Sequence, residues 1–254
     1  MPPGPNRLPC REMLAPFAVA CLRRGLLAVA TSVVPYVALC FVMYRTLGVS
    51  PVLTVVLAIP AAGFLVRVFV VFHGCAHGSL LPSRHANAVL GTVLGLLVLS
   101  PFRRWRHDHA VHHATSGDLD RRGVGDILTL KVAEYRARSW RGRAAYGLIR
   151  NPLVMFGFGP VFAIIIGLRI VARGARPRMR NSVLGTDAAL VVLVTAVCWL
   201  VGWPAFLIVC APAPLVAGSV GIWLFYVQHQ FEDAYWQSGV DWSLPMRLCA
   251  GARI

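Results

Sequence analysis

Apolar residues in this chain come in long runs separated by short polar or basic stretches. The first run is Leu26 to Leu47 and the second Val52 to Phe72, with Gly48-Val-Ser-Pro51 between them. Two more, Leu184 to Trp203 and Ala205 to Val227, flank Gly202-Trp-Pro204. A helix needs roughly 20 apolar residues to cross a hydrocarbon core about 30 Å thick, so all four are long enough. The first also exceeds the apolar core of a signal peptide, about 7–15 residues. Gly and Pro at the junctions mark turns, so the pattern predicts two transmembrane helical hairpins.

Two further apolar stretches fit less simply. Asn87 to Pro101 reaches only about 21 Å as a helix; it reads as a re-entrant or interfacial piece. Pro152 to Ala172 is long enough to span, yet Gly157, Gly159 and Pro160 interrupt it. Arg150 lies before it and Arg173, Arg176, Arg178 and Arg180 after it. Basic residues concentrate on the cytoplasmic side of a membrane protein. This stretch therefore reads as a dip whose two ends share one side. The expected fold is all-α integral membrane: two transmembrane hairpins plus re-entrant or interfacial helices. Residues 1–25, Pro-rich and basic, form a cytoplasmic tail. Residues 26–242 form one membrane domain, and 243–254 a short tail of different character.

Composition agrees. Of 254 residues, 57% are hydrophobic and 14% charged, against about 45–50% and about 25% in soluble domains. The net charge of +15 suits cytoplasmic loops and anionic headgroups. A nucleic-acid partner is not expected, because the basic residues are divided among loops between spans. Seven cysteines, an odd number with no Cys-x-x-Cys pair, argue against a disulfide framework and for a reducing side.

The stretch Trp105-Arg-His-Asp-His-Ala-Val-His-His113 carries the chemistry. His109, His112 and His113 stand at i, i+3 and i+4, one face of a helix, and neutral imidazole is a ligand for iron, zinc, copper or nickel. His73 and His77, at i and i+4, follow the second apolar run, and His229 follows the last. The hairpins bring all three groups to the cytoplasmic face. His85 and His107 are left over. Six imidazoles exceed one tetrahedral zinc and suit two metals at about three each. Arg67 is read as the charge inside a span, near its cytoplasmic end where it can snorkel; the histidines stand at span ends. A transporter places ionisable groups at the midplane instead. His-Glu-x-x-His, a phosphate-binding Gly-rich loop and a Ser/His/Asp set are all missing, which sets aside a zinc protease reading.

The order His73-x-x-x-His77 then His109-x-x-His112-His113 resembles the membrane fatty acid desaturase family, most nearly its acyl-lipid, omega-6-like branch. Val71 to Ser79, Pro82-Ser-Arg84, Trp105 to His113, Thr115 to Asp126 and Phe225 to Glu232 carry the likeness, which covers most of residues 50–242. The resemblance implies two non-haem iron ions held almost wholly by histidine, and O2-dependent introduction of a cis double bond into an acyl chain. By position it assigns His73, His77, His109, His112, His113 and His229 as metal ligands. It places His107 and Asp108 on variable spacer positions and makes Asp118, Asp120 and Asp126 candidates for orienting the histidines. Membrane lipid acyl chains are the implied substrate. An external donor such as ferredoxin, suited to the basic face, is the implied electron source.

Two departures qualify the expectation. Gly74 stands where the family commonly has Asp. The family also carries a third box, His-x-x-His-His, beyond the region of His229, and residues 230–254 contain no histidine. The second iron site is therefore expected to be incomplete in these 254 residues, with little or no activity from them alone. A non-catalytic desaturase-like membrane protein, and a hydroxylase or ketolase on the same scaffold, are the alternatives.

Overall fold

The computed structural model describes residues 19–123, 127–171, 174–230, 234–239 and 241–242. Most of the expected tail, residues 1–18, together with Asp126, Arg173 and residues 243–254, lies outside them. Among the described residues the fold is all-α. It comprises α1 (Leu22–Thr46), α2 (Pro51–His77), α3 (Arg84–Leu97), α4 (Phe102–Thr115), α5 (Val132–Ala137) and α6 (Trp140–Ile149). A broken helical segment, Val154–Arg169, follows. The chain then continues through α7 (Pro177–Val201), α8 (Trp203–Cys210) and α9 (Pro212–His229). Four stretches are long and apolar enough to cross a membrane: α1, α2, α7 and Trp203–His229. This is an all-α membrane protein, as the hydropathy pattern predicts.

Helix α2 is the axis of the fold. Ser50 caps its start, accepting a hydrogen bond from Leu53 N at 3.3 Å, and Pro51 supplies a preset φ at the first turn. Gly78, at φ +69°, ends it in the left-handed conformation. Hydropathy alone stops this element at Phe72, but the caps enclose 27 residues, about 40 Å of helix. That exceeds the hydrocarbon core, so the last turns, with His73 and His77, stand clear of the lipid. Ala58, Ala61, Ala62, Leu65, Val68 and Phe72 line the buried side of α2. The small residues among them admit α1 and α9 closely, as membrane helix packing requires. Buried Thr54 donates to the Met43 carbonyl across the first hairpin (3.3 Å).

Helix α3 has 14 residues, and the chain turns by 101° between it and α4. Buried Asn87 shapes the approach: it accepts from Leu81 N (3.1 Å) and donates to the carbonyls of Leu81 (2.6 Å) and Ser83 (2.9 Å). At the corner Leu99 takes φ +53°, rare for a branched side chain. Gly91 and Gly95 let the corner close. A Cβ on Gly91 would lie 2.2 Å from the Phe102 ring, and one on Gly95 2.5 Å from the Ser100 carbonyl.

Arg169 crosses to this corner from the broken segment. It donates to the Leu99 carbonyl and pairs with Asp187 of α7 at 2.7 Å; Arg104 of α4 reaches the Ile170 carbonyl. Asp187 corrects the expectation that Arg67 is the sole charge in a span: it lies inside the third of the four membrane-length stretches, and its cost is met by Arg169. Arg67 itself donates to Thr31 of α1 at 3.3 Å.

The topology follows from where the helix ends meet. The ends of α2 and α4 share a histidine cluster, so α3 does not carry the chain across between them. Ser182, near the start of α7, accepts from Arg103 N of α4 at 3.2 Å, and the end of α9 returns to α4 at His112. Thus α7 and Trp203–His229 form a hairpin that leaves and returns to the same side. A net crossing by Val154–Arg169 would put His229 opposite His112. Its bend of 61° from α6 and its α/π alternation suit a dip instead. With native cysteines removed, single cysteines placed at Arg150 and at Arg176 should react alike with an impermeant thiol reagent in sealed vesicles. Opposite labelling would overturn this topology.

Candidate metal centre

The histidines gather where α2, α4 and α9 end. His73 and His77 occupy successive turns of α2, their ring centroids 4.6 Å apart. His109 and His113 stand one turn apart on α4 (4.4 Å). One ligand nitrogen from each of these four lies within 4.8 Å of all the others. His109 is central: its Nε2 is 3.0 Å from Nε2 of both His77 and His113. Adjacent ligands at right angles on a metal with bonds near 2.1 Å sit about 3.0 Å apart, whereas a tetrahedral pair would stand about 3.4 Å apart. The 3.0 Å separations are short enough for these nitrogens to share one metal ion.

His112 turns away from this group. It is buried, and its Nε2 faces Nε2 of His229 at 3.0 Å. His229 Nδ1 donates to the Phe225 carbonyl at 2.8 Å, leaving Nε2 as a lone-pair donor; metal-ligating histidines are commonly held this way. The Phe225 ring stacks on His229 (4.3 Å) and touches His112 (5.0 Å). The six histidines thus divide four and two, not three and three. The reason is tertiary: the end of α9 arrives beside the edge of α4 that carries His112.

An aromatic floor sets the rings. Trp105, one turn before His109, stacks on it at 4.4 Å and 20°. Phe69 and Phe72 of α2 meet the Trp105 ring edge-on at 5.4 and 5.0 Å, and Phe102 meets Phe72. Burial, and then the neighbouring His113, His73, His77 and His112, push His109 down to about 3. It is therefore neutral, the form a metal takes, across the physiological range.

The remaining candidates fall elsewhere. His85 and His107 are exposed and outside the four-histidine group. Asp108 pairs with Arg104 at 3.3 Å. Asp118, expected to orient a histidine, instead accepts from Asp120 N and Arg121, and Asp120 accepts from Gly239 N. Gly74 is not sterically required, since a Cβ there meets Leu80 at an ordinary 3.6 Å. The sequence reading passed over Asp187, visible as an acid within an apolar run. It also gave no role to Trp105, whose signal is an aromatic at i−4 from the central histidine.

The described residues define an all-α membrane protein whose helix ends gather four histidines that could hold a metal ion. The particular family is shown by comparison with known proteins. Residues 48–245 match the family model described as "Fatty acid desaturase". The chain is 43% identical over 241 residues to a fatty acid desaturase of Bacillus subtilis, covering 95% of this chain and 68% of that protein. It is 30% identical over 183 residues to an sn-1 acyl-lipid omega-3 desaturase (ferredoxin) of Synechocystis, covering 68% of this chain and 49% of that one. This chain belongs to the fatty acid desaturase family.

Proposed function

We propose that this protein desaturates acyl chains of membrane lipids, using O2 and two non-haem irons held by His73, His77, His109 and His113 and by His112 and His229. The observation that carries the reading is the convergence of four imidazole nitrogens within 4.8 Å above an aromatic floor in a member of this family. Iron bound there would activate O2 for removal of two hydrogens from adjacent carbons of the acyl chain. The products are a cis double bond and two waters, with two electrons from the donor and two protons from solvent completing the reduction of O2.

The chain's own residues have separable tasks. His109 presents an unprotonated nitrogen through burial, and the bond from His229 Nδ1 to the Phe225 carbonyl orients the His229 ring so that Nε2 faces His112. Trp105, Phe69 and Phe72 bar water from the lower side of the four-histidine group and offer apolar contact to a hydrocarbon chain. His77 and His113 are exposed and leave the other side open. A ferredoxin-type donor suits the exposed Arg136, Arg138, Arg141 and Arg143, and the Synechocystis relative is named for ferredoxin. Its name also says omega-3, where the boxes were read as omega-6-like. Those arginines lie on the histidine side, so the positive-inside tendency supports a cytoplasmic site.

The pair His112–His229 offers two ligands where the other group offers four, so it should hold metal less firmly. The test expresses these 254 residues, and the same residues extended by a segment carrying His-x-x-His-His, in a host whose lipids are profiled. New double bonds are expected from the extended chain, and few or none from the shorter. An iron-replete extended chain that forms none, or forms hydroxylated or keto products instead, would overturn the reading.

A further inference from the structure

Two segments leave the second histidine group and meet again. Residues 116–121 leave α4 just after His112 and His113; residues 234–239 and 241–242 lie a few positions beyond His229. They are laced along their length. Leu119 N donates to the Gln237 carbonyl (2.8 Å), and Gln237 N to the Gly117 carbonyl (2.9 Å), a parallel bridge. Gly239 N donates to Asp120 at 2.7 Å, Trp242 Nε1 to the Ser116 carbonyl at 3.3 Å, and Lys131 Nζ to Ser238 at 2.9 Å. The Arg121 guanidinium lies 5.0 Å from the Trp242 ring centre. Gly117 adopts φ +81°, and a Cβ there would stand 2.5 Å from the Tyr235 carbonyl.

Asp118 is the centre of this clasp and is wholly buried. One oxygen accepts from Asp120 N at 2.9 Å and the other from Arg121 Nε at 2.5 Å. Burial pushes its carboxyl up, but the bonds from Arg121 and from the Asp120 N–H outweigh that and hold it below the ordinary carboxylate range. The carboxylate curls the loop so that the Gly117 carbonyl and the Leu119 N–H both face Gln237.

What the clasp joins is otherwise thinly joined. Helix α9 packs mainly on α2 and the broken segment, whereas α4 packs on α3, α7 and α2. We propose that Asp118 is a positioning residue for the His112–His229 pair: by shaping the loop that clasps residues 234–242, it holds the ends of α4 and α9 at the separation where the two Nε2 atoms meet. The proposal rests on the reading of that pair as a metal site.

The test uses the full chain purified in detergent, with Co2+ as probe and the cobalt absorption bands as readout of each group. His229→Ala should abolish binding at the weaker class of site only. Asp118→Ala, and independently Gly117→Ala, should weaken that class by about 10-fold to 100-fold, the range for groups that orient ligands. The four-histidine class should stay within about twofold. Hydrogen exchange of residues 234–242, measured without metal, should be slow in the wild type and fast in both variants. If exchange stays slow in Asp118→Ala, or both classes weaken alike, the positioning role is overturned. If exchange accelerates as expected but His229→Ala leaves cobalt binding unchanged, the clasp stands and the metal reading of the pair is what fails.

Discussion

His109→Ala should remove metal from the four-histidine group and, in the chain extended by a His-x-x-His-His segment, abolish desaturation. No other histidine has its position: its Nε2 approaches two neighbouring Nε2 atoms at 3.0 Å, and Trp105 holds its ring. Removing it takes away a ligand and leaves His77 and His113 without the ring between them. The alanine also uncovers the Trp105 face to water. Loss of a group that merely orients a ligand costs about 10–100-fold in affinity, so loss of the central ligand should exceed that. His107→Ala, two residues earlier and exposed, should change retention by less than about twofold. Iron measured in the purified variants decides between them. Equal losses would mean that the ligand face of α4 is misassigned.

Gly91→Ala should destabilise the protein far more than a single methyl suggests. The new Cβ would fall 2.2 Å from a Phe102 ring carbon, and that ring is 1% exposed and packed edge-on against Phe72. It has no vacant space to enter, so α3 and α4 must separate. Overpacking of this kind costs about 1–3 kcal/mol. Because Phe102 opens the helix that carries the box, iron affinity should fall as well. Gly63→Ala is the control: it is also a helical glycine, but its Cβ would meet nothing within 4 Å, and replacing glycine within a helix is favourable. Thermal midpoints in detergent should separate the two variants, and Phe102→Leu should partly restore Gly91→Ala. An undiminished midpoint for Gly91→Ala alone would show that the corner yields easily and does not fix α4.

The two hairpins were legible because membrane spans announce themselves by length and apolarity, and the helical faces of His73/His77 and His109/His112/His113 follow from a fixed 3.6-residue period. The division of those histidines was not legible, because it depends on which edge of α4 the end of α9 approaches. Asp187 was visible as a charge in an apolar run, but its partner Arg169 lies in a segment whose course no periodicity reveals. Asp118 reads from sequence as either a solvated loop acid or a partner for a histidine. It is neither, because residues 234–239, 241 and 242 lie over its loop and convert an exposed turn into a buried one. The end of α2 was set by Gly78 rather than by the loss of apolar character at Phe72, so a cap outweighed hydropathy.

Helix α4 gives His109 and His113 to one group and His112 to the other, from adjacent positions on one rigid element. Any ligand that fixes the tilt of α4 at the first group also fixes it at the second. Where both groups bind metal, as proposed, the two are linked, and whatever factor the first ion adds to the affinity for the second, the second must add to the first. The helix is a shared lever between two sites of unequal strength, so an ion at the stronger one sets the posture that the weaker one meets.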